Sequence, residues 1–228
     1  MENAYGRPFV DFRTGEILSC HIAVFHSVFD MLCQWYIAQT GESEEEFPDE
    51  LAGRLLEMVV SHEVGHVLGL THNFYGSSLC ETEQLRDAVF LHRHGYGSSI
   101  MDYMRMNYAV QPEDGVDMSD RIPRIGAYDS LAIEWGYRYF PGLASEEIQE
   151  KLSVWIEKKQ LERKYRFQDS GGNLPEAQAE DLGRYSLETA ELGMCHLKRL
   201  LRDTLRNNGR LSVESWNLAI RKQYSEYI

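Results

Sequence analysis

Residues 61–72 read SHEVGHVLGLTH and contain the pattern HExxHxxGxxH. On a helix, His62 and His66 are four residues apart and lie on one face, so both imidazoles can bind one metal ion with Glu63 beside it. His72 completes a set of three imidazoles, which leaves one position of a tetrahedral zinc site open, as in catalytic sites. The segment therefore predicts one Zn²⁺ ion held by His62, His66 and His72.

The same segment predicts the shape of its surroundings. Apolar residues precede the histidines at spacings of three and four, at Leu51, Leu55 and Val59, which is typical of one face of a long helix over about residues 48–70. Gly69 can adopt a left-handed conformation that ends this helix and turns the chain back. That turn would bring the third histidine to the metal.

On both sides of the motif, the spacing of apolar residues mostly predicts helices. Residues 15–25 have the composition of a strand, and residues 71–127 are rich in Gly, Ser, Asn and Asp, which favours irregular structure around a site. Helices are predicted at 26–39, 128–137, 145–166, 177–207 and 212–227. We therefore predict an α+β fold dominated by helix, with a catalytic domain at 1–140 and a helical segment at 141–228.

The motif and a second segment resemble a known clan. HEVGHVLGLTH, followed by Ser99-Ile100-Met101-Asp102-Tyr103, resembles the metzincin zinc endopeptidases and their Met-turn. The resemblance implies that Met101 lies under the zinc ligands as a hydrophobic base. It also implies hydrolysis of peptide bonds by zinc-activated water, with Glu63 as the general base.

Several flanking segments narrow the resemblance. RTGEIL, HEVGHVLGLTHNF, SIMDY and RIGAYDSLAIEWGY are similar to bacterial zinc-dependent metalloproteases with an EcxA-like zinc-binding domain, over about residues 11–137. This likeness implies an extracytoplasmic location. Two features depart from the clan's pattern. Asn73 follows the third histidine, and only 61 residues precede His62, so further strands are expected upstream in the same precursor.

Some residues allow two interpretations. Tyr103 matches a clan tyrosine that touches zinc or stabilises the tetrahedral intermediate as an oxyanion donor, but it can also be a packed aromatic residue in a loop. Asp102 and Asp129 can orient a ligand histidine or cap a loop or helix, and neither is included in the catalytic set. His92 and His94 lack the acidic or Cys spacing of a second metal site, so none is predicted there.

The strand and the histidine motif also bear on the substrate and on alternative functions. A free edge of the strand near 20–24 could pair with an extended peptide, so the expected partner is a peptide or protein substrate. One alternative is a zinc-binding interaction module or a truncated, inactive protease fragment. Another is a zinc hydrolase that acts on a non-peptide bond, which fits the Met-turn less well.

Composition excludes other classes of partner. The 228 residues include 23 Lys and Arg against 36 Asp and Glu, a formal charge of −13, whereas nucleic acids and anionic membranes bind basic surfaces. The chain has no apolar run long enough to cross a bilayer and no signal peptide at MENAYGRPFV. Cys20, Cys33, Cys80 and Cys195 form no CxxC pair, which favours buried free thiols and leaves one or two disulfides open.

Overall fold

A computed structural model of the chain describes residues 4–169 and 174–206, with side chains described through residue 203. It confirms an α+β fold that is mostly helical. Short 3₁₀ turns connect the main elements. In chain order these elements are β1 (Ala4–Val10), β2 (Ile17–Val24), α1 (Ser27–Thr40), α2 (Asp49–Val67), α3 (Ala88–His94), α4 (Ala127–Tyr137), α5 (Ser145–Lys159) and α6 (Ser186–Arg206).

The two strands form an antiparallel hairpin in which Gly6 lies opposite Ile22. A tight turn joins them, where the Gly15 N–H donates to the Asp11 carbonyl at 2.7 Å and Gly15 has a φ of 75°. Glycine adopts that left-handed conformation without steric cost. The sequence predicted only the second strand, at 15–25. Pro8 lies within the first strand, where proline is uncommon, and this obscured β1.

Helix α2, which carries His62 and His66, is held in place by a stripe of apolar residues. Leu51, Leu55 and Val59 are buried against Val28 and Leu32 of α1, as the spacing predicted. Burial of this stripe fixes the rotation of α2 about its own axis, because apolar area removed from water is the main stabilising term. The helix ends at Val67, three residues before the predicted end.

The region 71–127 is largely irregular, as predicted, but it also contains α3 and a core of its own. Buried polar side chains fix its backbone. The Asn107 Nδ2 donates to the Leu85 carbonyl at 2.8 Å. The Tyr96 hydroxyl lies 2.6 and 2.9 Å from the carbonyl oxygens of Arg105 and Arg121, which share its one proton. Such bonds satisfy backbone groups that no helix or strand pairs.

The C-terminal part differs from the predicted helices. Its first helix ends at Lys159 rather than 166, and the next begins at Ser186 rather than 177, because 174–185 form turns and bends. The helix predicted at 212–227 lies outside the described residues. Helix α6 packs on the N-terminal part, where the His196 Nε2 lies 3.0 Å from the Gln39 carbonyl. The division at residue 140 stays a prediction.

The structure shows the state of the four cysteines and the character of the helices. All four cysteines are free, and Cys33 and Cys80 are buried as predicted. Cys20 and Cys195 are exposed, so the prediction of buried thiols was wrong for these two. Among the described residues, no helix combines the length and the apolar character needed to span a membrane.

Candidate metal centre

The three motif histidines meet at one point. Helix α2 presents His62 and His66 on one face, and the chain then turns at Gly69, which has a φ of 90°. This turn returns His72 to the same face, and the ligand nitrogens of the three rings all lie within 4.8 Å of one another. The turn at Gly69 that the sequence predicted is therefore present, and the histidines have a zinc-binding arrangement.

Two of the rings are oriented by backbone carbonyls. The His62 Nδ1 lies 2.8 Å from the Ile100 carbonyl, and the His66 Nδ1 lies 3.0 Å from the Leu70 carbonyl. A carbonyl oxygen can only accept, so each Nδ1 carries the proton and donates it. Each Nε2 then keeps its lone pair for a metal ion, which is the usual arrangement of a ligand histidine.

The third histidine provides the test of fit for a metal. The Nε2 of His72 is buried and has no hydrogen-bond partner among the described residues. A buried polar atom without a partner is costly unless something outside the protein binds it. A zinc ion bound jointly by the three imidazoles would satisfy this atom, so the donor set fits the metal.

Burial keeps these ligands in the required protonation state. Burial lowers the pKa of His62 to about 4, and the neighbouring imidazoles His66 and His72 act in the same direction. Burial also lowers the pKa of His72. Metal ions bind the neutral imidazole, so little proton competition is expected at these two rings near neutral pH.

Glu63 lies beside the ligands and under the hairpin. Burial raises the pKa of its carboxyl group, while the charge of His66 and a hydrogen bond from the Gly6 N–H act to lower it. The strand passes so close that a Cβ on Gly6 would lie 2.2 Å from the Glu63 carbonyl oxygen. Glycine at this position is therefore required for β1 to cross α2 here. A carboxylate with a raised pKa is suited to accept and return a proton.

Met101 packs against the middle of the HExxH segment. It is fully buried, and its sulfur lies against Gly65, between the two helix histidines in the sequence. The backbone that carries Met101 also contributes the Ile100 carbonyl to His62. Its contact with Gly65 agrees with the position under the histidines that the resemblance implied.

Tyr103 faces the histidines with its ring. Its centroid lies 4.4 Å from that of His72 and 5.6 Å from those of His62 and Phe74. The side chain is 44% exposed, so it is open to a ligand in the cleft. Burial, with the charges of Glu63 and Glu180, raises the pKa of Tyr103, which keeps its hydroxyl protonated and able to donate.

Asp129 connects the Met-turn to α4. Its Oδ1 accepts from the Ser99 hydroxyl at 2.6 Å, and its Oδ2 accepts from the N–H groups of Ile100 and Gly126, each at 2.7 Å. The residue therefore caps α4 and also holds the peptide whose carbonyl orients His62. Both interpretations of Asp129 apply to the same side chain.

Asp102 and His92 bond to residues outside the group of motif histidines. The Asp102 Oδ2 accepts from the Ser77 N–H at 2.6 Å, which holds a loop and not a ligand histidine. The exposed His92 pairs with Asp120 at 3.1 Å. Within the described ranges, the motif histidines are the one group of three potential ligands close enough to share an ion.

Asn73 shows what replaces the clan's usual residue after the third histidine. It is fully buried, its Nδ2 donates to the Arg166 carbonyl at 3.1 Å, and its Oδ1 accepts from the Gln168 N–H at 3.0 Å. Its own N–H donates to the Met101 carbonyl at 3.0 Å. Asn73 thus joins three chain segments next to His72.

A cavity of about 490 Å³ opens at the histidines. That volume is within the range of roughly 300–1,000 Å³ for small-molecule sites. Sequence reasoning missed several of its lining residues, which carry no motif and come together only through the fold: Ala4, Tyr5 and Gly6 of β1, Met31 and Trp35 of α1, Arg105, and Glu180.

Comparison with known proteins agrees with this geometry. A family model described as Met-zincin matches residues 44–227, more than half of the chain. The matched range contains the three histidines, Glu63 and Met101, and it extends through the C-terminal helices. No curated protein and no solved structure matches the chain.

Proposed function

The chain belongs to the Met-zincin family, and on that premise we propose that it is a zinc-dependent endopeptidase. The observation that supports this most strongly is the meeting of three imidazoles beside a carboxylate with a raised pKa, in an open cavity. A purely structural zinc site closes the fourth position with a protein ligand. Here the three histidines line an open cavity, and no fourth protein ligand joins them among the described residues.

Each residue of the site has a separate role in the proposed reaction. His62, His66 and His72 would hold the zinc ion, which when bound supplies Lewis acidity that activates water and polarises a carbonyl. Glu63 accepts the proton of the attacking water and delivers it to the leaving amine. The Tyr103 ring packs against His62 and His72, which supports a role for its hydroxyl as a donor to the oxyanion that develops on the substrate.

The peptide substrate would lie along β1. The sequence predicted the strand near Cys20–Val24 as the substrate edge, and that stays a prediction. In the hairpin β1 and β2 pair with each other, and it is β1 that contributes residues to the lining of the cavity. A hydrogen bond from the Gly6 N–H acts on the pKa of Glu63, so β1 passes beside that carboxyl group. The backbone groups on the edge of β1 that β2 does not pair would then bind an extended peptide.

A second candidate is a zinc-binding module without catalysis. It would need the histidines but not Glu63, whose carboxylate is not required to hold the ion. The presence of Glu63 beside the histidines, with the Gly6 N–H bonded to it, favours the peptidase.

The deciding experiment compares wild type with Glu63→Ala and Glu63→Gln. Zinc would be measured by elemental analysis, and cleavage would be measured on a mixed peptide library. Glu57→Ala, an exposed acidic residue on the same helix, is the matched control. We expect one zinc in every variant and cleavage by wild type and the control only. Zinc without cleavage in wild type would favour the module, and wild type without zinc would overturn both.

A further inference from the structure

A buried histidine lies where α6 packs against the end of α1. His196 is 4% exposed, and its Nε2 lies 3.0 Å from the carbonyl oxygen of Gln39. Since a carbonyl oxygen can only accept, Nε2 carries a proton and donates it. The Nδ1 of the same ring is buried and has no hydrogen-bond partner among the described residues. A second proton, on Nδ1, would therefore be a buried donor without an acceptor, which is costly.

The two helices are closely packed around this ring. Gly41 follows the last residue of α1 with a φ of 74°, and a Cβ on it would lie 3.1 Å from the Cδ2 of Leu200 on α6. Leu197 is buried, and Leu200 packs against the core around α1 and α2. Because packed interiors leave little free space, water can reach the His196 ring only if α6 moves away from α1.

The charges that act on His196 oppose a second proton. Arg199 lies three residues further along α6, and Arg121 ends the 3₁₀ turn at Met118–Arg121. Burial lowers the pKa of His196 most, and the two arginine charges lower it further, whereas the bond to the Gln39 carbonyl acts to raise it. The docked ring is therefore neutral near pH 7.

The acidic groups around the contact are bonded elsewhere or distant. Glu113 lies 3.3 Å from Arg199, and Glu42, just after α1, accepts from the Tyr36 hydroxyl. Asp30 is the one charged residue of α1, and it is nine positions before Gln39, or about 13 Å along the helix. None of these carboxylates is bonded to the His196 ring in the described part of the chain.

We propose that His196 is a pH-sensitive latch between α6 and α1: α6 stays docked while the ring is neutral and is released when the ring gains a second proton. The ordinary pKa of an imidazole is about 6.5. Below that pH the undocked state binds a proton that the docked state excludes, so docking is complete above it and weakens as the pH falls. Helix α1 also carries Met31 and Trp35, which line the cavity, so the latch acts on a wall of the candidate site.

Hydrogen exchange of backbone amides between pH 7.5 and 5 tests the latch, with the metal content matched between variants. In wild type, the protection factors of peptides from 193–200 should fall by up to about tenfold per pH unit below 6.5, since release takes up one proton. His196→Gln can still donate to the Gln39 carbonyl but cannot titrate, so it should lose this dependence. His92→Gln, which changes an exposed histidine, is the matched control and should behave as wild type.

Hydrogen exchange at the imidazole C2 position provides a second measurement, made on wild type alone, should His196→Gln fail to fold. It should give a pKa for His196 below the ordinary value, and a pKa at or above that value would overturn the latch. The same pH dependence of α6 protection in wild type and His196→Gln would also overturn it. So would loss of protection in α2 and α6 at one pH, because that result means unfolding of the whole chain.

Discussion

The Sδ atom of Met101 lies directly against the backbone of Gly65, so that a Cβ on Gly65 would lie only 2.2 Å from that sulfur. Gly65 is within the HExxH segment, one residue before His66. The Met-turn can therefore approach α2 closely enough to support the ligands only because this position has no side chain. The contact joins two parts of the sequence that the motif does not connect.

Replacing Gly65 with Ala should destabilise the protein by about 1–3 kcal/mol, because inserting a methyl group into packed structure forces neighbours apart. The melting temperature and the zinc content should both fall. Gly53→Ala is the matched control: it is on the same helix, and nothing lies within 4 Å of its added Cβ. That variant should be neutral or slightly more stable, since Ala favours helix. Equal melting temperatures for the two variants would contradict the close contact.

Replacing Asn73 with Ala should weaken the attachment of residues 166–168 to the segment that follows His72. The substitution removes bonds to the Arg166 carbonyl and the Gln168 N–H, and each buried group left without a partner costs about 1–3 kcal/mol. We expect a lower melting temperature and faster limited proteolysis near Arg166. Asn73→Asp keeps the acceptor for the Gln168 N–H but sets a carboxylate oxygen against the Arg166 carbonyl, so its proteolysis should be no slower than that of Asn73→Ala. Unchanged proteolysis in Asn73→Ala would refute the role.

Replacing Asp129 with Ala should weaken zinc binding without removing a ligand. Asp129 holds the Ile100 peptide, whose carbonyl orients the His62 ring. Loss of such outer partners typically costs about 10–100-fold in metal affinity. Competition with a chelator would measure this affinity, and Asp129→Asn, which retains one acceptor oxygen, should lose less. An affinity equal to that of wild type would show that the Met-turn keeps its position without this carboxylate.

The stability of the protein should depend on the protonation of Asp102. Burial raises the pKa of Asp102 to about 8 from an ordinary value of 3.8. Between these values the folded state holds a proton that the unfolded state releases, so the free energy of unfolding of wild type falls as pH rises. Asp102→Asn cannot titrate. The difference in unfolding free energy, variant minus wild type, should therefore increase from pH 5 to pH 8, by at most about 1.4 kcal/mol per pH unit.

Chemical denaturation at matched zinc loading would measure that difference. Asp181, whose pKa burial raises to about 6, is present in both proteins, and its charge is one cause of the raised pKa of Asp102. A difference that stays constant with pH would mean that Asp102 is ionised in the folded protein throughout this range.

Local spacing was sufficient to predict the ligands and the helix that carries two of them. A period of 3.6 residues places His62 and His66 on one face whatever the rest of the chain does, and Gly69 permits the turn to His72. The apolar stripe at Leu51, Leu55 and Val59 predicted the buried face for the same reason. These are properties of neighbouring residues, so the sequence alone determined them.

The remainder of the site depends on residues far apart in the chain. Gly6 lies 57 positions before Glu63, and Glu180 lies 75 positions after Arg105, yet both pairs are in contact. No period or motif records such pairings, because they result from how the hairpin, α1 and the 174–185 loop pack around α2. The sequence by itself determined that the three motif histidines meet, with the Glu63 carboxyl group beside them. Only the tertiary structure decided which strand borders the cleft and which charges line it, because those are set by long-range packing.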